Sequence, residues 1–223
     1  MQGQLPDREK YLFDLLQVML KPWPQNRTVN IVCHGHSVPA GYFCTPIVNP
    51  LHAYPHLLFV GVKERFAYAV INVIVTAIGG ENSETGAARF ADEVLTHRPD
   101  VVTIDYALND RGIGLERAER AWRAMIEQAL ARGSKVILLT PTHDLLTLRR
   151  GDPMWAEELP KHADQVRRLA AEYGVGLADS DAAFQRYLAG GGEVTDLLSH
   201  INHPNLWGHQ LVTRELLRWF PAQ

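Results

Sequence analysis

The chain has 223 residues, of which 46% are hydrophobic and 21% are charged, and these values are typical of a globular protein with one well-sized core. Its net charge of -3 and a pI of about 6.4 give no electrostatic basis for nucleic acid as a partner. We therefore expect one domain over residues 1–223, with an amphipathic N-terminal helix at about residues 7–20 included.

The N-terminal residues and the two cysteines indicate the cellular compartment in which the protein is expected. Charged residues interrupt the apolar ones before Lys21, unlike a signal peptide. The longest apolar run, Ala67 to Val75, is too short to span a membrane. Cys33 lies in an apolar strand and is expected to be a core residue rather than to pair with Cys44. These features favour a cytoplasmic protein with no membrane partner.

Apolar runs of strand length alternate with amphipathic segments of helix length. Nearly all-apolar strands are expected where helices cover both faces of a parallel sheet. The pattern predicts an α/β fold, a three-layer α/β/α flavodoxin-like domain with a mostly parallel five-stranded sheet. The predicted strands lie near Val29–Cys33, Tyr68–Val75, Val101–Ile104, Lys135–Thr140 and Val175–Ala178. The predicted helices lie near Arg8–Leu20, Ser83–His97, Leu115–Arg132, Leu159–Tyr173, Ser180–Ala189 and Gly208–Trp219.

Two longer segments are predicted to be irregular and to lie over the ligand site. The first runs from Thr45 to Tyr68, where Pro55 argues against a helix. Together with Tyr42 and Phe43, and through Tyr54 and Phe59, it would contribute aromatic walls to the site. The second, from His143 to Trp155, would form another rim. In an open parallel sheet, ligands bind beyond the carboxyl ends of the strands.

Ser37 follows the first predicted strand, in the sequence His-Gly-His-Ser-Val-Pro-Ala-Gly at residues 34–41. Glycines on both sides allow a tight turn that could present the hydroxyl as a nucleophile at a helix N-terminus. The alternative is that Ser37 only caps the next helix.

Gly80 and Asn109 follow the second and third strands. A glycine can bring a backbone N–H close to a substrate oxygen, and an Asn side chain can donate to an oxyanion. Each has an ordinary alternative: a tight turn at residues 79–80 and an Asx turn at residues 109–110.

His203 lies before the last predicted helix, held by Pro204, and Asn205 is placed to cap that helix. A histidine in such a rigid loop can act as a general base, although His200 and His209 lie nearby.

These residues occur in the same order as the four blocks of the SGNH hydrolases, also called the GDSL esterase/lipase family, which the chain resembles. Residues 35–37 (Gly-His-Ser) are similar to its Gly-Asp-Ser block, and residues 80–83 to its glycine block. Residues 107–110 resemble Gly-x-Asn-Asp, and residues 203–209 resemble the closing His-Pro-Asn…Gly-His block. The resemblance covers most of the chain, although each block is short.

The resemblance implies roles for these residues. Ser37 would be the nucleophile and His203 the general base, then the acid toward the leaving alkoxide. The oxyanion hole would consist of the Ser37 and Gly80 backbone N–H groups and the Asn109 side chain. No metal and no cofactor are implied.

The chain departs from the family pattern at two positions. His36 replaces the Asp before the nucleophile, and His200 stands three residues before His203, where the family has its acid. Asp196 is the nearest upstream acid and is our candidate for the third catalytic residue. The alternatives are a Ser–His dyad oriented by a backbone carbonyl and, more weakly, Asp110 as the acid.

The function implied is a serine hydrolase that cleaves carboxylic esters of small acyl groups, such as acetyl esters of sugars, through an acyl-enzyme. The expected partner is a small-molecule ester, with no nucleic acid and no membrane, and the sequence does not predict the oligomeric state. Two alternatives are a catalytically weak binding module with the same fold, suggested by His200, and a metal-dependent hydrolase, suggested by ten histidines.

Overall fold

The computed structural model describes residues 3–146 and 151–222. Its centre is a five-stranded sheet in which every neighbouring pair is parallel, in the order β2-β1-β3-β4-β5. This confirms the predicted α/β fold, and the strand order is that of flavodoxin-like domains. The strands are β1 (Thr28–Gly35), β2 (Val70–Val75), β3 (Val101–Asp105), β4 (Lys135–Leu139) and β5 (Gly176–Ala178).

Helices cover both faces of the sheet. On one face, apolar side chains such as Leu16, Leu58 and Leu216 form one core cluster. On the other, Phe90 and Trp122 belong to a second cluster. The helices are α1 (Arg8–Tyr11), α2 (Phe13–Leu20), α3 (Ser37–Ala40), α4 (Tyr54–Arg65), α5 (Ser83–Glu93), α6 (Ala107–Asp110), α7 (Leu115–Ala131), α8 (Met154–Tyr173), α9 (Ser180–Ala189) and α10 (Leu206–Leu217).

The prediction that residues 45–68 are irregular was wrong for the second half of this segment, which contains α4. Pro55 is the second residue of α4, a position where the missing N–H has no helical acceptor and the fixed φ suits the helix. Helix α8 likewise begins at Met154, earlier than predicted, and includes Pro160. Part of the expected rim at residues 143–155 lies outside the described residues, which omit 147–150.

The carboxyl ends of the three strands on one side of the sheet are joined by backbone hydrogen bonds. The Ile78 N–H donates to the Gly35 carbonyl at 3.0 Å, and the His36 N–H donates to the Asp105 carbonyl at 3.2 Å. The segments after β1, β2 and β3 therefore begin side by side. No helix in the described part of the chain is long and apolar enough to cross a membrane.

Candidate active site

Ser37 is the first residue of α3, directly after β1. The cap of this helix is His36, whose Nδ1 accepts from the Val38 N–H at 3.3 Å. Gly35 lets the two strand ends approach closely, since a Cβ there would lie 2.5 Å from the Asp105 carbonyl oxygen. The Ser37 N–H, at the first helical position, has no acceptor within the helix and can bind another group.

The Ser37 hydroxyl contacts His203 across the carboxyl end of the sheet. Its Oγ lies 3.0 Å from His203 Nε2, and both residues are only 5% exposed. The other ring nitrogen, Nδ1, lies 3.1 Å from the backbone carbonyl oxygen of Phe43. Since a carbonyl can only accept, Nδ1 carries the hydrogen and Nε2 is left to accept the proton of Ser37.

Burial keeps the His203 imidazole neutral. Desolvation is the main cause that lowers the pKa of His203 to about 4, against the opposing effect of the Phe43 carbonyl, and the charges of His36 and His200 lower it further. A neutral imidazole is the form that acts as a base, so His203 is in its basic form from mildly acidic pH upward.

The loop before α10 holds His203 through its own backbone. Leu198 and Pro204 form an antiparallel bridge, and the Ser199 N–H donates to the His203 carbonyl at 2.9 Å. Ser199 Oγ lies 3.1 Å from the Phe43 carbonyl oxygen, the same oxygen that faces His203. Asn205 caps α10 by accepting from the Gly208 N–H at 3.1 Å, as predicted.

Asn109 and the glycine segment after β2 are joined to each other. The Asn109 side chain donates from Nδ2 to the Glu81 carbonyl at 2.8 Å, which uses one of its two N–H hydrogens. Gly80 has φ of +84°, a conformation that favours glycine, and a side chain there would meet open space. The predicted donors Ser37, Gly80 and Asn109 thus follow three adjacent strands.

The other histidines singled out in the sequence serve different structural roles. His34 is buried and bonds Thr76 and Gly86 through its two ring nitrogens. His209 Nδ1 accepts from the Tyr54 N–H at 3.2 Å. Among residues 3–146 and 151–222, no three His, Cys, Asp or Glu side chains are grouped to hold a metal ion.

The sequence matches the model of the GDSL-like lipase/acylhydrolase family over residues 33–211. The chain belongs to this family. It is a carboxylic ester hydrolase, and the match includes all four blocks around Ser37, Gly80, Asn109 and His203.

The chain is also similar to a curated protein and to solved structures at low sequence identity. An acetylxylan esterase of Geobacillus stearothermophilus is 24% identical over 160 residues, which are 66% of this chain and 71% of that protein. The crystal structure of the acetylxylan esterase Axe2 from the same organism superposes with a TM-score of 0.74 at 20% identity, covering 87% of this chain and 95% of that one. LAE5, an α/β hydrolase enzyme from the metagenome of Lake Arreo, gives a TM-score of 0.71 at 24% identity, covering 90% and 97%.

The structure does not bring Asp196, our candidate acid, to His203 in this GDSL-family hydrolase. The Asp196 carboxylate accepts from the Glu193 N–H at 2.8 Å and from the Tyr187 hydroxyl at 3.0 Å. It therefore caps its own 3-10 turn, Val194–Leu197. The position that the resemblance assigns to the acid is occupied by His200, and His203 Nδ1 is already bonded to a carbonyl.

Asp110, the weaker candidate acid, has both of its oxygens bonded to groups other than His203. It accepts from the Ser83 N–H and from Trp122 Nε1, each at 2.7 Å. Burial raises the pKa of Asp110 to about 6. The bonds tie the start of α5 to α6, so Asp110 positions the segments that carry Gly80 and Asn109.

Sequence reasoning placed Tyr42 and Phe43 near the site only as aromatic walls and did not predict their contacts with His203. The Phe43 contribution is a backbone carbonyl, which every residue possesses, so no side-chain pattern could have shown it. The Tyr42 ring lies 5.8 Å from the His203 ring. It also touches Gly79, where a Cβ would come within 2.6 Å of the ring.

Proposed function

We propose that this hydrolase cleaves esters of small acyl groups, such as acetyl esters of sugars, through an acyl-enzyme formed on Ser37. The observation that carries the proposal is the 3.0 Å approach of Ser37 Oγ to a neutral, buried His203 Nε2. A serine hydroxyl is a weak nucleophile unless a base removes its proton, and this geometry supplies the base.

In the first half of the reaction, Ser37 Oγ attacks the acyl carbon while His203 Nε2 accepts the hydroxyl proton. The tetrahedral intermediate collapses, and His203 returns that proton to the leaving alkoxide. In the second half, a water molecule attacks the acyl-enzyme. His203 accepts a proton from the water and then returns it to Ser37, which releases the carboxylic acid.

The negative charge of the intermediate needs donors that are already in place. We assign this role to the backbone N–H groups of Ser37 and Gly80 and to the Asn109 side chain. The three donors follow three adjacent strands. The hydrogen bond from Asn109 to the Glu81 carbonyl holds the Asn109 side chain next to the segment that contains Gly80. Such a preorganised donor contributes roughly 3 kcal/mol to the stabilisation of the transition state.

The orientation of His203 is assigned to the Phe43 carbonyl, so the catalytic unit is a Ser37–His203 dyad. A carbonyl selects the same tautomer as a carboxylate, because it too accepts the Nδ1 hydrogen. It is uncharged, however, and stabilises the imidazolium less than an Asp would. We therefore expect a working catalyst that is slower than one with a buried acid.

The contacts of Tyr42 support a small acyl group. Its ring packs against both Gly79 and His203 and so narrows the space beside the nucleophile. The relative named as an acetylxylan esterase points to the same substrate class, although at 24% identity.

Covalent labelling tests the nucleophile. We would treat the protein with a fluorophosphonate probe and map the adduct by mass spectrometry, with Ser37→Ala as the control. One adduct on Ser37, absent from the variant, is expected. A folded protein that is not labelled would contradict the acyl-enzyme and favour a binding module or a metal route.

Substrate class is tested with nitrophenyl esters of increasing chain length and with acetylated xylo-oligosaccharides. The acetyl ester should have the highest kcat/KM, and Tyr42→Ala should shift the preference toward longer chains. Tenfold faster turnover of long-chain esters by the unmodified protein would contradict the proposal.

A further inference from the structure

Arg111 and Asp144 form an ion pair in the interior of the protein. The Arg111 side chain is fully buried and that of Asp144 is 4% exposed, and Arg111 Nη2 donates to Asp144 Oδ2. An apolar pair of similar size commonly gives the same stability or more, because two buried charges have lost their hydration. Stability alone therefore does not account for charged residues at these two positions.

The guanidinium of Arg111 is held in one orientation beside the segment that carries Asn109. Arg111 follows α6 directly and is two residues after Asn109. Its Nε donates to the Leu108 carbonyl at 2.9 Å and its Nη1 to the Trp155 carbonyl at 2.5 Å. The guanidinium carbon lies over the Trp155 ring, 5.0 Å from the ring centre. Because this planar group is bonded through Nε, Nη1 and Nη2, it fixes the position of Asp144 relative to α6.

Asp144 shapes a short turn that is bonded to the loop of His203. Its second carboxylate oxygen, Oδ1, accepts from the Leu146 N–H at 3.1 Å. Between these two residues, the Leu145 N–H donates to the Ile201 carbonyl at 2.7 Å. Ile201 is two residues before His203. The carboxylate thus holds the turn that presents the Leu145 N–H to this loop.

The ion pair joins segments that follow two neighbouring strands. Arg111 lies after β3 and Asp144 lies after β4, and these strands are paired in the sheet. The loop with His203 comes much later in the chain, between α9 and α10. A charge-assisted hydrogen bond is stronger and shorter than a neutral one, so it holds the two segments at a defined separation.

We propose that Arg111 and Asp144 are a positioning pair, which sets the distance between the proposed oxyanion donor Asn109 and the proposed base His203. This role rests on the proposed function, because it concerns the geometry of the same site. The oxyanion and the imidazolium develop in one transition state, so donor and base must be placed together. A displacement of about 1 Å between such groups can lower the rate by about 10²-fold.

Steady-state kinetics with the acetyl ester test the pair. Asp144→Asn keeps the shape and removes the charge, whereas Arg111→Lys keeps the charge and removes the planar fork. Each should lower kcat by about tenfold or more while KM stays within about twofold, because correct placement matters most in the transition state. Labelling of Ser37 by the fluorophosphonate should slow by a similar factor. The matched control Glu172→Gln removes an ion pair with Arg123 near the other end of α8 and should leave kcat unchanged.

An apolar double variant separates positioning from a purely structural role. Arg111→Met/Asp144→Leu leaves no unpaired buried charge, so it should regain the melting temperature that Asp144→Asn loses, whereas kcat should stay low. Recovery of kcat together with the melting temperature would overturn the proposal. If the double variant does not fold, Arg111→Lys decides the matter, and an unchanged kcat in that variant would overturn the proposal.

A double-variant cycle tests the connection to the oxyanion donor. Asn109→Ala should cost less in the Asp144→Asn background than in the unmodified protein, because the donor is then already displaced. Additive losses would contradict the connection. Labelling of the unmodified protein at Ser37 distinguishes this role from the proposed function. If that protein is labelled and the Arg111 and Asp144 variants react equally fast, only the positioning role fails; if it is folded and not labelled, both fail.

Discussion

The two halves of the site are built in different ways. Ser37, Gly80 and Asn109 follow adjacent parallel strands, and the hydrogen bonds of the sheet bring them together. His203 lies on a loop that is closed by its own backbone bonds and by the Phe43 carbonyl. The comparison teaches that the proposed nucleophile and the proposed oxyanion donors are positioned by the sheet itself. The proposed base, His203, is positioned by a few contacts of its own loop and of the Phe43 carbonyl.

The largest effect is expected where the two halves meet. Ser37→Ala and His203→Ala should each lower kcat for a nitrophenyl acetate by about 10⁴-fold or more, since each removes one member of the same unit. The double variant should be no worse than the more severe single one. Steady-state kinetics with matched melting temperatures would measure this. Additive losses would show that the two residues do not act together.

Asn109→Ala tests the part of the site that follows the strands of the sheet, and in particular the proposed oxyanion donors. It removes a donor and should reduce kcat by about 10²- to 10³-fold with little change in KM, because the donor matters most in the transition state. The labelling of Ser37 should remain detectable. If KM rose instead while kcat was retained, Asn109 would bind the ground state and the oxyanion assignment would fail.

The pH profile of kcat/KM tests the charge state of His203, the residue on the loop. His203 must be neutral to act, and its pKa is lowered to about 4 by burial. The kcat/KM should therefore be lost as pH falls through about 4 and be flat above it. His200→Asp places an anion near the ring, which favours the imidazolium, so it should move this limb to higher pH. A limb that stays in place would show that residue 200 does not influence the His203 ring.

A smaller effect is expected for the loop that orients the base. Ser199→Ala removes the hydroxyl that shares the Phe43 carbonyl with His203. The loss of one such bond, about 1 kcal/mol, corresponds to roughly a fivefold lower kcat. Rescue by Ser199→Thr would assign the effect to the hydroxyl. Equal losses in both variants would point to packing instead.

Asp196→Asn is expected to have the smallest effect on kcat. It serves as the comparison for His203→Ala. Its carboxylate bonds Tyr187 and the Glu193 N–H instead of His203, so kcat and the position of the acid limb should stay within about twofold of the unmodified protein. A loss comparable with that of His203→Ala would restore Asp196 as the third catalytic residue.

Sequence reasoning was most successful where a residue follows a strand. Apolar runs marked all five strands, and the parallel arrangement then placed Ser37, Gly80 and Asn109 at one edge. It failed for α4, because Pro55 was treated as a helix breaker although it stands in the first turn. It also pointed to Asp196 by its position along the chain, and the chain turns that carboxylate toward its own 3-10 helix.

The sequence by itself determined the layered fold, the family and the order of the residues at the strand ends, because these depend on periodicity and on short motifs. Only the tertiary structure decided what faces His203 Nδ1, since that partner is the backbone oxygen of a residue 160 positions away. It also decided that β2 is the first strand in the order of the sheet, because the alternation of strands and helices along the chain does not specify that order. Both properties arise from the meeting of distant segments, and the hydrophobic pattern of a single segment carries no information about them.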